Sequence, residues 1–252
     1  MSHGASTEML LRSLCLSTMV RHYEPLAEKA EKESWGYTQY LRSLCEVELF
    51  ERGARRVERR LKQSGLPDGK TIDTLDQKEL PLKVRRQIPG LLEGTFVKRA
   101  ENVLSFGLPG TGKTHLVCAI ARELILHHDC PVLFITAFHL VQRMLVAKKE
   151  LRLEALLRKL DQYEVVVLDD IGYVQQDREE MEVLFTFLSE RYERKSLMIT
   201  SNLVFSEWDK IFKDPMTTAA AIDRLVHHAI ILELDNGSYR AKQARDRHKE
   251  PA

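Results

Sequence analysis

The sequence predicts an α/β fold, a five-stranded parallel sheet flanked by helices and preceded by a small all-α domain. Three observations carry that prediction. Residues from about Ser6 to Leu61 are rich in helix formers, with apolar positions at helical spacing. From Asn102 onward the period changes, and short apolar runs alternate with helical stretches, the pattern of parallel strands joined by crossover helices. A glycine-rich turn, Gly107 to Thr114, joins the first of those runs to the first of those helices. The 252 residues, 44% of them hydrophobic, suffice for one substantial core and a smaller appended domain.

In the N-terminal part a turn is expected near Trp35-Gly36-Tyr37, followed by a long helix. Leu49, Val57 and Leu61 mark one face of that helix, and Arg52, Arg55, Arg56 and Arg59 recur at three-and-four spacing on another. The run Ser64-Gly65-Leu66-Pro67-Asp68-Gly69 ends it, because glycine and proline cannot continue a helix. The expected organisation is a helical domain over 1–69, a connecting segment over 70–101, an α/β domain over 102–242 and a basic tail over 243–252.

Strands are expected at Val103 to Phe106, Val132 to Ile135, Val165 to Leu168, Leu197 to Thr200 and Ile230 to Leu234. Between the second and third, Ala137 to Leu160 is long enough for two helices, one more than a simple crossover requires.

Overall charge excludes little, since 38 Lys and Arg nearly cancel 37 Asp and Glu. The charges are segregated, however. Glutamates crowd positions 24 to 51, and Arg52, Arg55, Arg56, Arg59, Arg60 and Lys62 then face only Glu58. Such a stripe suits either a solvated helix face or phosphates of a nucleic acid backbone. Cys15, Cys45, Cys118 and Cys130 form no CxxC pair, so neither a zinc site nor a disulfide framework is predicted, and a reduced, cytoplasmic setting is expected. His127, His128, His227 and His228 lack partners at metal-ligand spacing and are expected to be structural. The apolar stretch Met9 to Val20 is broken by Arg12 and is too short to cross a bilayer, so no membrane partner is expected.

Gly107-Leu108-Pro109-Gly110-Thr111-Gly112-Lys113-Thr114 matches GxxxxGK[ST] between an apolar strand and an apolar helix. In such a loop Gly107, Pro109, Gly110, Thr111 and Gly112 let backbone N–H groups turn inward around phosphates at the positive end of the following helix. Lys113 is expected to reach the β- and γ-phosphates of ATP, and the Thr114 hydroxyl to ligate Mg²⁺. A strand ending in two carboxylates follows, Val165-Val166-Val167-Leu168-Asp169-Asp170. Asp169 is expected to hold the hydrated Mg²⁺ and Asp170 to orient or deprotonate the attacking water. Asn202, after the next strand, is a candidate contact to the γ-phosphate or the water. Arg224, on a helix before the last strand, suits either a neighbouring subunit's nucleotide or an ion pair with Asp223.

Together the Gly112-Lys113-Thr114-His115-Leu116 continuation, Leu168-Asp169-Asp170-Ile171-Gly172, Thr200-Ser201-Asn202, Ala221-Ile222-Asp223-Arg224-Leu225 and Gly237-Ser238-Tyr239-Arg240 resemble the IstB-like transposition helper ATPases. These are relatives of the DnaC helicase loader within the AAA+ superfamily. The resemblance runs in order through Asn102 to Lys242 and extends to the helical N-terminal part. It implies an AAA+ P-loop ATPase that assembles as a ring or filament on duplex DNA, selects or remodels an insertion sequence's target, and recruits its transposase. It also implies that His115 belongs to the nucleotide site, that Arg224 is an arginine finger, and that Arg52, Arg55, Arg56, Arg59 and Arg60 contact DNA. The extra helix between the second and third strands is similar to the insertion of initiators and helicase loaders. The sequence ends soon after Arg240, so no helical lid is expected, and Ser105 stands in the first strand where an aliphatic residue is expected. A DnaC-like helicase loader, a small-molecule kinase and a slowly hydrolysing ATP switch are the rival readings.

Overall fold

Each of the five apolar runs forms a strand in the computed structural model, which describes residues 6–173, 177–208, 211, 215–235 and 237. The basic tail and Arg240 lie outside the described residues. The chain divides into two compact units, Met1–Arg59 and Arg60–Ala252, upstream of the boundary expected at residue 69. The long helix runs through the division.

The first unit contains α1 (Thr7–Ser13), α2 (Ser17–Lys32) and most of α3 (Tyr37–Ser64). Its internal order depends on one buried carboxylate. Glu48, on α3, accepts the backbone N–H groups of Thr18 at 2.9 Å and Met19 at 3.0 Å, which are otherwise unpaired donors in the first turn of α2. Arg52 and Arg55 pair with the same carboxylate at 3.0 and 3.6 Å. Burial works to raise the Glu48 pKa, but the two N–H bonds and Arg52 outweigh it and leave the group below the usual glutamate range. The helix α3 stops where expected, because Gly65 takes a left-handed φ of 67° that ends it.

The second unit opens with α4 (Leu82–Leu92) and α5 (Thr95–Lys98), which occupy the expected connecting segment. The sheet then alternates with helices in the order β1 (Asn102–Gly107), α6 (Lys113–His128), β2 (Val132–Thr136), α7 (Ala137–Lys149), α8 (Leu153–Leu160), β3 (Val165–Asp169), α9 (Arg178–Arg191), β4 (Ser196–Ser201), α10 (Pro215–Val226) and β5 (Ala229–Leu234). The helices α7 and α8 are the two expected between the second and third strands. All pairings are parallel, in the spatial order β2-β3-β4-β1-β5. Strands buried on both faces need apolar side chains throughout, which is why Val165 to Leu168 is a continuous apolar run.

Alternation along the strands divides the core. Leu104, Phe106, Leu168 and Ile199 face a cluster that includes Leu140, Met144, Phe187 and Leu225 of α7, α9 and α10. Val103, Ser105, Val167 and Met198 turn to the other side, where α6 packs over β1, β3 and β4. Two features of this core bear on the site. Ser105 is fully buried, and its Oγ has no hydrogen-bond partner. Register places it beside Thr200 on the adjacent strand. Arg191, also buried, donates to the carbonyls of Leu160, Tyr163, Glu164 and Ser196 at 3.0–3.2 Å and ties the entry of β3 to that of β4.

Candidate nucleotide site

The strand β1 delivers the chain to Gly107, and α6 begins six residues later at Lys113. Between them the backbone turns on glycines. A Cβ at Gly107 would lie 2.3 Å from the Leu234 carbonyl oxygen, so no larger residue fits against β5 there. Gly110 and Gly112 have φ of 85° and 96°, in the region that side chains disfavour. The Lys113 ammonium is tucked under the loop, donating to Gly107 O at 2.8 Å and Leu108 O at 2.9 Å. Thr111 Oγ1 donates to Leu108 O at 2.9 Å and braces the same turn. The result is a cationic group and the N-terminus of a 16-residue helix converging on one concave loop, an arrangement suited to phosphate oxygens.

His115 fixes what lies beside the loop. Its Nε2 is 3.1 Å from both Thr74 Oγ1 and Thr71 O, so the first turn of α6 holds the 71–74 segment in place. A cleft results, lined by Leu75, Leu80, Thr111, Gly112, His115 and Gly237. No sequence motif marks Leu75 or Leu80. The fold brings them beside the loop, next to the segment that His115 holds.

The acidic end of β3 is held by a residue to which the sequence assigned no role. Thr200 on β4 is fully buried, its hydroxyl donating to Asp169 Oδ1 at 2.7 Å and accepting the Asp170 N–H at 2.9 Å. One hydroxyl therefore orients the Asp169 carboxylate and the backbone of Asp170. Asp170 has a left-handed φ of 57°, a conformation aspartate tolerates better than most residues and one that turns its side chain out of the strand direction.

Thr114 and Asp169 supply donors of the kind a magnesium ion takes, and the Asp169 carboxylate is buried and oriented by Thr200. Burial raises the thiol of Cys118, on α6, to about 12. Thr114 stands one helical turn before Cys118 on the same face of α6. Hydroxyl and carboxylate are both hard oxygen donors, the class Mg²⁺ takes.

Asn202 follows β4 directly and packs against the turn after Asp170. A Cβ at Gly172 would meet Asn202 Oδ1 at 2.3 Å, so the absence of a side chain there makes room for the amide. That Oδ1 is buried without a hydrogen-bond partner. Asp169, Asp170, Thr200 and Asn202 are thus gathered at one end of the sheet, with the phosphate loop two strands from the carboxylates.

Arg224 lies elsewhere. Its guanidinium donates to Ala220 O at 3.1 Å and stacks on Phe185 of α9, 4.9 Å from the ring centre. Asn102, the first residue of β1, donates through its side chain to Leu225 O at 3.1 Å and through its backbone to His228 O at 2.8 Å. The end of α10 is therefore at the start of β1, while the phosphate loop is at its finish, a strand length of about 17 Å away.

The five arginines of the N-terminal stripe do not share one environment. Arg52 donates to Cys15 O at 3.0 Å and Arg55 to the hydroxyls of Ser17 and Thr18 at 2.9 Å, in addition to their pairing with Glu48. Arg60 pairs with Asp129 at 2.5 Å. Arg52, Arg55, Arg56 and Arg59 are all exposed, whereas Arg60 is half-buried.

Among the described residues no helix is long and apolar enough to cross a membrane.

Over 244 residues, 96% of this chain and 82% of the relative, the sequence is 41% identical to a Sinorhizobium fredii protein described as an insertion sequence ATP-binding protein. Two solved structures share the fold. AMPPCP-bound DnaA from Aquifex aeolicus has a TM-score of 0.58 at 18% identity, covering 74% of this chain and 57% of that one. The DnaC helicase loader has a TM-score of 0.54 at 16% identity, covering 61% of this chain and 89% of that one. The profile of the IstB-like ATP binding protein family matches residues 9–247, nearly the whole sequence, and the chain belongs to that family.

Proposed function

We propose that this ATPase is the helper protein of an insertion sequence, assembling through ATP on duplex DNA and presenting the target to its transposase. The observation that carries the assembly is the position of Arg224, at the opposite end of β1 from the phosphate loop of its own chain. An arginine so placed serves a nucleotide only if that nucleotide belongs to a neighbour. The family match and the insertion-sequence description of the relative support the biological setting.

In this reading the Lys113 ammonium exchanges the Gly107 and Leu108 carbonyls for β- and γ-phosphate oxygens, and the N–H groups that open α6 bind the same phosphates. The base occupies the cleft beside Leu75 and Leu80. Thr114 and Asp169 would hold Mg²⁺, which when bound would neutralise charge on the phosphates. Asp170 and Asn202 position the attacking water, with Thr200 fixing the acidic pair from behind. Arg224 of the adjacent subunit offsets charge developing in the transition state, a contribution on the order of a thousandfold.

Assembly would set the helical units side by side, so that exposed Arg56 and Arg59 of many subunits add their weak phosphate contacts into stable, salt-sensitive binding. Hydrolysis would loosen the interface. The reduced, cytoplasmic setting fits four free cysteines, two of them buried.

The test is sedimentation of the purified protein with ATP and Mg²⁺, with and without random-sequence duplex DNA, alongside phosphate release. Large assemblies that require both ATP and DNA are expected. A species that stays monomeric and indifferent to DNA contradicts the proposal and favours a helicase-loading role.

A further inference from the structure

The fold supplies a carboxylate partner to His227 and His228, which the sequence predicts to be structural. Glu193 occupies the turn between α9 and β4, while His227 and His228 occupy the junction between α10 and β5. The ligand atoms of all three lie within 4.8 Å of one another. Glu193 Oε1 is 3.7 Å from His227 Nδ1 and 3.9 Å from His228 Nε2. We propose that Glu193, His227 and His228 form a surface site for a divalent transition-metal ion of the zinc class.

The donor set selects the class of ion. Two imidazoles and one carboxylate suit Zn²⁺ and its borderline neighbours, whereas Mg²⁺ and Ca²⁺ prefer oxygen donors alone. Zinc bonds of about 2.0–2.2 Å place tetrahedral donors about 3.4 Å apart, so the observed spacings need only a small contraction. The side chains are half exposed, at 50–55%, and can make that adjustment without disturbing the core. Three ligands leave a fourth position for water or another donor.

The backbones carrying them are firmly placed. His228 O accepts the N–H of Asn102 at 2.8 Å, at the start of β1, and His227 N–H donates to Asp223 O at 3.0 Å, prolonging α10. On the other side, Arg194 and Lys195 both donate their N–H groups to Arg191 O at 3.0 Å, and Arg191 is itself buried among four carbonyls. Tyr192 OH lies 2.9 Å from His227 Nδ1, and an ion bound at that nitrogen would displace the hydroxyl. A bound ion would link the end of α9 to the end of α10, the same two helices that hold Phe185 and Arg224 against each other. The site is separate from Thr114 and Asp169, since it lies at the end of the sheet where β1 begins.

The full chain, free of any affinity tag and of nucleotide, is titrated with Zn²⁺ in competition with a chromophoric chelator. One Zn²⁺ per chain is expected, with His227→Ala/His228→Ala and Glu193→Gln each weakening binding roughly tenfold or more. Asp169→Asn should bind Zn²⁺ as the wild type does. As a second readout, Zn²⁺ should raise the melting temperature of the wild type and leave that of the double variant unchanged. Zinc binding that is undetectable, or equal in the wild type and the double variant, overturns the assignment.

Discussion

The Thr200 hydroxyl donates to Asp169 Oδ1 at 2.7 Å, fixing the carboxylate expected to face magnesium. It accepts the Asp170 amide at 2.9 Å as well, so its removal affects both acidic residues. Thr200→Val keeps shape and strand propensity while deleting the hydroxyl. Activity should fall about 10–100-fold, the usual effect of losing a partner that orients a metal ligand, with nucleotide binding largely retained. Phosphate release and binding of a fluorescent ATP analogue, measured on the same preparation, separate the two effects. Unchanged turnover would mean that Asp169 is oriented by other means.

Gly172 offers a route to Asn202 that leaves Asn202 itself in place. An alanine Cβ would approach Asn202 Oδ1 to 2.3 Å, and a side-chain amide moves more cheaply than backbone does. Gly172→Ala is therefore expected to reproduce the catalytic loss of Asn202→Ala with little loss of stability. If Gly172→Ala hydrolyses ATP at the wild-type rate while Asn202→Ala does not, the packing account is wrong.

Glu48 makes the stability of the first unit depend on pH. Its folded pKa is depressed, so the unfolded chain binds the proton more readily. The stabilisation is fully present above the ordinary glutamate pKa and disappears as pH falls through the depressed folded value. Glu48→Gln, which keeps the shape but removes the charge, should cost about 2 kcal/mol at neutral pH and flatten this acid dependence. Thermal melts of the 252-residue chain from neutral to acid pH, wild type beside the variant, provide the check.

The arginine stripe should divide into two functional groups. Arg52 and Arg55 serve Glu48, Cys15 O and the hydroxyls that open α2, so replacing them should lower stability as well as any DNA affinity. Arg59→Glu, at an exposed position of α3, should reduce the salt slope of duplex binding by about 1, the phosphate no longer neutralised. An unaltered slope would remove this face from the DNA interface.

Much of the second unit was legible because its signals are local. The short, valine-rich run Val165 to Leu168, bounded by polar residues, reads as a strand buried on both faces, and Gly107 to Thr114 carries its loop geometry in its glycines. What escaped the sequence depends on long-range register. Thr200 reads as an ordinary strand residue until β4 is placed between β3 and β1, which brings it to Asp169 and level with Ser105. The same holds for Glu48, which caps a helix 30 residues away and leaves no capping signature beside Ser17. Glu193 and the His227–His228 pair are likewise joined only by the packing of α9 and α10 ends, so spacing along the chain gave them no partner. Leu75 and Leu80 line the cleft just after Thr71 and Thr74, which His115 bonds, and no local signal marks them for it.

A nucleotide site shared between subunits predicts that two inactive proteins restore activity when mixed. Lys113→Ala lacks the phosphate-binding ammonium and Arg224→Ala lacks the guanidinium, so each alone should hydrolyse ATP slowly, the latter by on the order of a thousandfold. In a mixture with DNA, some interfaces pair an intact Lys113 with an intact Arg224 from the other chain, and phosphate release should rise well above the sum of the separate proteins. A mixture that only sums its parts, or an Arg224→Ala protein with wild-type turnover, would contradict the shared site.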